Sequence, residues 1–499
     1  MKKILSFAII CSVMLPVTAQ NTLSLDSCRA LALRNNKQIN VSKMKQEIAL
    51  NIRKAAKTKY LPKVDAAGGY QYFSETISLL SKDQKSALNN LGSNFTTAAG
   101  GSLGGMITGL VQQGLITPAI AQQINGMVSQ IGAPIATVWN DIGSSITKSL
   151  DTNTHHIWGG AIMLRQPIYM GGAITALNNI ALINEQLAAN DADAKMQATL
   201  YSIDQAYWLV VSLKQKKALA ESYLGLVKKL DDDVNKMIKQ GVATRAAGLK
   251  VDVKVNEAEM QLTQVEDGLT LAKMLLCQLC GLPMDRDITL ADENRKQLNV
   301  NLNEQSTTVA DKALANTNRP ELRLLQNAIN ISEQATKLVR ATYLPHILLT
   351  GGYIVSNPNL FNSFERKLAG TWNVGVIVQV PVWNWFEGAY KVRASKAATS
   401  MAQMELYDAQ EKINLQITQS EFKVKEAHKR LLMARKNIKS AEENLRCANV
   451  GFKEGVMETT EVMAAQTAWQ QAKSQQIDAE VEVKMAQVNL QKSLGVLNY

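Results

Sequence analysis

The sequence predicts an α+β membrane protein assembled from a tandem internal duplication. Three observations carry that expectation: proline-free runs of helical periodicity far beyond ordinary helix length, short segments of apolar alternation ahead of each, and the superposition of one half of the chain on the other at fixed offsets.

The chain opens with Lys2 and Lys3 before an apolar run from Ile4 to Leu15, and Val17-Thr18-Ala19 places small residues where a signal peptidase reads. This is the pattern of a secretory signal over residues 1–19, with the mature chain expected from Gln20. The apolar run is too short to span a membrane, and no later stretch approaches 18 apolar residues, which excludes a helical inner-membrane protein. Cys11 lies inside the signal and no cysteine sits at the cleavage junction, so no lipid-anchored amino terminus is expected. Cys28, Cys277, Cys280 and Cys447 are too few and too scattered for a disulfide framework.

From Gly172 to Gln240 there is no proline and one internal glycine, Gly225, while Met196, Leu200, Ile203, Tyr207 and Val210 recur at threes and fours. At about 1.5 Å per residue such a run makes a rod on the order of 100 Å long. It turns at Gly241-Val242-Ala243-Thr244 and returns as a second helical run to Gly281, a hairpin over 172–281 whose copy occupies 388–495. One constant offset brings Tyr60-Leu61-Pro62 onto Tyr343-Leu344-Pro345 and Gly68-Gly69-Tyr70 onto Gly351-Gly352-Tyr353. A second constant offset brings Trp158 onto Trp372, Pro167 onto Pro381, Gly241-Val242 onto Gly455-Val456 and Gly281 onto Gly495. The expected organisation is a first repeat over 20–283, a linker over 284–308 and a second repeat over 309–499. Each repeat reads helix, strand, strand, long helix, turn, helix.

The strands follow from period two. Val64, Ala66, Gly68, Tyr70 and Tyr72 alternate with Asp65, Ala67, Gly69 and Gln71; Trp372, Val374, Val376, Val378 and Val380 alternate with Asn373, Gly375, Ile377 and Gln379. Trp158, Ile162 and Leu164 fall on one face and Arg165 on the other. Ten-residue segments with one apolar face and an aromatic near an end suit an outer-membrane barrel; a sheet covering a soluble core is the other reading. Four strands cannot close a barrel, and open edges are not tolerated in hydrocarbon, so spanning strands must be completed by other copies of the chain. Two copies supply eight strands and three supply twelve, and only the wider ring leaves room for a lumen.

The signal, the duplicated order of strand pair and long hairpin, the Tyr-Leu-Pro lead-in to the first strand of each half, and the Gly-Val turns resemble the TolC-like outer-membrane efflux proteins. The resemblance implies a trimer with a twelve-strand transmembrane β-barrel, four strands per chain, continued by a long twelve-helix periplasmic α-barrel. It implies a passive exit duct opened at its periplasmic tip by a periplasmic adaptor (membrane fusion protein) and an inner-membrane pump of RND, ABC or MFS type. An outer-membrane component of type I protein secretion is the alternative, and a structural helical stalk or adhesin a further one, which the lipid-like strand faces disfavour. The family's adaptor-docking tip maps onto Gly241, Val242, Ala243 and Thr244 and onto Gly455, Val456, Met457 and Glu458. Glu461, Val462 and Ala464 continue the second match, whereas Gly248 stands where an acidic residue is usual, so the first tip is expected to dock differently. Acidic residues line the family's closed constriction, and Asp231, Asp232 and Asp233 are the candidates; an exposed acidic helix face is the other reading.

The largest departure from internal symmetry is between the first two strands. Gly69 and Pro167 stand much further apart in the chain than their counterparts Gly352 and Pro381, and the excess is an insertion over 80–148. From Ser86 to Asn140 it holds no Asp, Glu, Lys, Arg or His. A segment so free of charge is expected to pack on something: a cap or plug over the barrel mouth, or a surface partner, is the expectation, with a low-complexity loop the alternative.

At 19% charged and 5% aromatic the chain is not disordered, and its formal charge of +11, lowered by two when Lys2 and Lys3 leave, is interspersed along helices as solvated faces with no nucleic-acid surface. His155 and His156 point to opposite faces of a strand, and His346 and His428 stand apart, so no metal site is expected. Cys277-Gln278-Leu279-Cys280 has redox spacing, yet Gln491 and Leu494 occupy the equivalent positions, which favours packing or an uncharged surface. No active site and no cofactor are expected. The eighteen methionines are spread along helices, which favours drugs over metals as cargo.

Overall fold

A computed structural model of the chain describes residues 22–72, 156–295, 298, 309–357, 359 and 367–497, with scattered positions between 93 and 141. The signal, most of the 80–148 insertion and most of the second half of the linker lie outside the described residues. The first half carries α1 (Leu25–Asn35), α2 (Lys37–Lys57), β1 (Lys63–Tyr72), β2 (His156–Met170), α3 (Ala173–Lys239) and α4 (Arg245–Cys280). The second carries α5 (Val309–Asn318), α6 (Pro320–Ala341), β3 (His346–Asn357), β4 (Ala369–Gln379), α7 (Glu387–Lys453) and α8 (Thr459–Ser493). The two long helices have the same length, 67 residues each. Among the described residues no helix is long and apolar enough to cross a membrane.

The helix ahead of each strand pair is in fact two helices, broken at equivalent points. Asn36 (φ −66°, ψ 126°) and Arg319 (φ −67°, ψ 117°), which the first offset superposes, leave the helical region together. In the second half Pro320 imposes the break, because its ring pushes the preceding residue to extended backbone and is accommodated at the first helical position. The first half has Lys37 there, and the Asn36 side-chain amide holds the break by donating to the Leu279 carbonyl at 2.9 Å.

The chain forms two compact units that cut across the two halves. One, drawn from residues 38–195 and 309–416, holds all four strands. Its helical core sets Ala173, Ala176, Ile180 and Leu187 of α3 against Ile331, Leu338 and Val339 of α6. The other, drawn from residues up to 37, 196–308 and 417–499, is a helical bundle. Ile203, Tyr207 and Val210 of α3 pack on Leu276, Cys277 and Cys280 of α4, on Cys28 and Ala32 of α1 and on Leu290 of the linker. Nearer the turns, Val227, Leu230 and Val234 of α3 meet Val251 of α4, Leu445 of α7 and Val462 of α8.

The strands form one antiparallel sheet in the order β1-β2-β3-β4, leaving β1 and β4 as edges. Pro167 differs from its counterpart: Pro381 lies beyond β4, whereas Pro167 lies inside β2, at a register shift between Pro167 and Tyr169. Pairing with β1 stops at Arg165, so the missing N–H costs no ladder bond on that side.

Candidate functional site

The sheet places the alternating residues in register. Val64 lies beside Leu164, Ala66 beside Ile162 and Tyr70 beside Trp158; Ile162 then faces Tyr353, which pairs with Trp372, while Gly351 pairs with Val374 and Leu349 with Val376. One face is therefore apolar across all four strands, and it is uncovered: Val64, Tyr70, Ile162, Val374, Val376 and Val378 are exposed, and Trp372 is 75% exposed. The pairs Tyr70–Trp158 and Tyr353–Trp372 are duplicates of each other and supply aromatic anchors. The opposite face carries Asp65, Gln71, Arg165, Thr350 and Asn373, with Arg165 ion-paired to Asp65. A soluble core sheet buries its apolar face; an uncovered one suits a sheet solvated by lipid on that side and by water on the other.

The two helical turns share one frame. Gly241 (φ 77°) and Gly455 (φ 72°) adopt left-handed backbone, which glycine reaches without steric cost. Val242 N–H donates to the Met237 carbonyl and Val456 N–H to the Gly451 carbonyl, both at 2.9 Å, closing each helix end in the same way. The valines themselves project outward, 69% exposed at Val242 and 79% at Val456. The returning helices start differently. Thr244 accepts from Ala247 N–H at 3.2 Å, whereas Glu458 and Glu461 form a reciprocal capping box with Glu458 N–H donating to Glu461 at 3.1 Å. The third helical position is thus Ala247 in one turn and Glu461 in the other. Gly248 corresponds to Val462 and not to the acidic residue. A Cβ there would lie 2.8 Å from Ile238 Cδ1, where α3 and α4 approach closely and the end of the isoleucine side chain would have to move aside.

The three aspartates have separate surroundings, as consecutive helical positions must. Asp232 is exposed and pairs with Lys236. Asp233 is half-buried. Asp231 sits against Asp252 of α4 and accepts from Asn235 Nδ2 at 3.1 Å; burial and the neighbouring Asp252 carboxylate push its carboxyl above the usual range. Asp252 lies eleven residues after Gly241 and Asp231 ten before, so counting outward from the glycine locates the pair, a signal that reading α3 by itself passes over. With its folded pKa raised, Asp231 contributes most below its unfolded pKa, and that contribution is lost as pH rises through the folded value. Asp231→Asn is expected to raise the unfolding temperature at neutral pH and flatten its dependence above about pH 4; thermal melts at pH 4.5 and 7.5 measure both.

Of the cysteines, Cys28, Cys277 and Cys280 are buried and Cys447 is exposed, so the Cys-x-x-Cys pair packs and is not an uncharged surface. Among the described residues no group of His, Cys, Asp and Glu is arranged to hold a metal ion.

A sheet with a lipid-facing side, attached in sequence to duplicated long helical hairpins, defines an outer-membrane channel protein. The outer membrane efflux protein family model matches residues 310–496. The outer membrane efflux protein BepC of Brucella suis is 23% identical over 336 residues, 67% of this chain and 71% of the relative. The fold is that of the Campylobacter jejuni outer membrane channel CmeC (TM-score 0.71, 13% identity, 95% of this chain and 85% of that one). The Vibrio cholerae outer membrane protein VceC is similar as well (TM-score 0.68, 12% identity, 94% and 96%). The family match lies within the second half of the chain. Over residues 310–496 the chain is similar to the outer membrane efflux proteins, and its fold is that of outer-membrane channels.

Proposed function

We propose that three copies of the chain close a twelve-strand barrel and a twelve-helix periplasmic tunnel, a passive exit duct opened at its helical tip by a periplasmic adaptor and an inner-membrane pump. The observation that carries this reading is the four-stranded sheet whose apolar face is uncovered and whose edges β1 and β4 are unpaired among the described residues. Open edges in hydrocarbon cost several kcal/mol per unsatisfied group, so β1 of one copy pairing with β4 of the next removes the penalty all round the ring. The oligomeric mass of the detergent-purified protein, taken with single-channel recording in planar bilayers, tests it; a monomer that inserts nothing would falsify it.

The docking tip comprises Gly241, Val242, Ala243 and Thr244 with Gly455, Val456, Met457 and Glu458. The exposed valines at matched places in two rigid turns are what an adaptor of apolar helical tip would grip. Val456→Asp is expected to bring efflux down to the level of cells lacking the channel while oligomers still form, and Val242→Asp to have a smaller effect because its turn lacks the capping box. Drug susceptibility and adaptor cross-linking are the readouts. Asp231, Asp232 and Asp233 act as gate acids only in part in this reading, since Asp231 is engaged with Asp252 and Asp232 with Lys236.

A further inference from the structure

We propose that Cys28 and Cys280 are a disulfide-forming pair that ties the amino-terminal helix α1 to the end of the first returning helix α4. Both thiols are buried, and Cys280 Sγ lies 3.6 Å from the Cys28 carbonyl oxygen. Cys277, one turn earlier, points elsewhere, with its Sγ 3.6 Å from the Arg286 carbonyl. The two helices also meet at the carboxyl end of α1. Asn36 donates to the Leu279 carbonyl at 2.9 Å, and a Cβ on Gly281 would come within 2.7 Å of the Asn35 side chain. In the folded chain the neighbouring Cys28 thiol holds Cys280 below the usual thiol range. A chain exported to the periplasm meets an oxidising compartment, where buried neighbouring thiols do not stay reduced by default.

The step balances without a metal. The Cys280 thiolate attacks the disulfide of a periplasmic thiol oxidant, giving a mixed disulfide and releasing one oxidant thiol. Cys28 then displaces the second oxidant sulfur. One sulfur–sulfur bond forms in the chain, and two protons and two electrons pass to the oxidant as two thiols. Burial places the reaction during folding, before α1 closes on α4.

The test is thiol counting on the mature protein purified from outer membranes, acid-quenched, then denatured in N-ethylmaleimide and weighed intact. Two adducts, on Cys277 and Cys447, rising to four after reduction, and a non-reduced tryptic peptide joining Cys28 to Cys280, are expected. Four adducts without reduction, or a linkage that includes Cys277, overturns the proposal. Cys28→Ser should give three adducts, and two would overturn the pairing. The inference rests on export and not on the duct: recovery of the protein in the outer-membrane fraction checks that separately.

Discussion

Val374→Arg is expected to prevent the protein from accumulating as folded oligomer in the outer membrane. Val374 lies at the middle of β4, on the apolar face, paired with Gly351. A cation on the lipid side of a barrel costs about 2–4 kcal/mol at the midplane, and in a ring of identical chains every copy carries it. The neighbouring residue is the control. Asn373 is on the opposite face, the one that carries Thr350 and Arg165, so Asn373→Arg is expected to assemble normally and to shift ion selectivity toward anions. Outer-membrane yield, oligomer mobility and reversal potential separate the two variants. Equal tolerance of both, or a worse outcome for Asn373, would mean that the faces have been assigned the wrong way round.

The second large effect is at the base of the helical unit. Arg29 of α1 grips Asp204 of α3 with two bonds, Nε to Oδ1 at 2.8 Å and Nη2 to Oδ2 at 2.5 Å, and Asp204 has no solvent exposure. The Asp204 bond raises the Arg29 pKa; the Asp204 carboxyl is also raised, because burial outweighs the pull of Arg29. Asp204 ionised is therefore a penalty that the pair offsets incompletely, and its stabilising protonated form is lost as pH rises through the folded value. Asp204→Ala leaves a guanidinium buried without its partner and should destabilise by about 3–5 kcal/mol. Arg29→Met with Asp204→Leu removes both charges and is expected near the parent in stability, since a buried ion pair and its apolar replacement are often equivalent. Denaturant unfolding of the detergent-solubilised protein measures both. A double variant as damaged as the single one would show that the pair contributes more than its own desolvation.

Much of this molecule is legible in its sequence, for identifiable reasons. Alternation at 64–72 and 372–380 fixes which side chains share a face, because strand period admits one alternative and register only slides along it. Gly241 and Gly455 mark the turns because positive φ at a helix end has few other occupants. The break at Pro320 is readable from proline alone. The matching break at Asn36 is not, because it depends on a carbonyl 243 residues away. Asp231 with Asp252 and Cys28 with Cys280 are likewise brought together by helices folding back on each other: the acid run marks Asp231 and the Cys-x-x-Cys marks Cys280, but neither mark names the partner, and only counting outward from Gly241 reaches Asp252. Scattered cysteines exclude a framework of many bridges, yet they leave room for a single one between distant elements.

The equal length of α3 and α7 has an evolutionary consequence. Each copy counts the same number of residues from the start of its long helix to its turn glycine, so a deletion in one long helix would put its turn out of step with the other, and drift in length can be retained only when both copies change together. Single-copy insertions are confined to places that need no twin. The insertion between β1 and β2, without a counterpart between β3 and β4, is where this lineage was free to add something of its own.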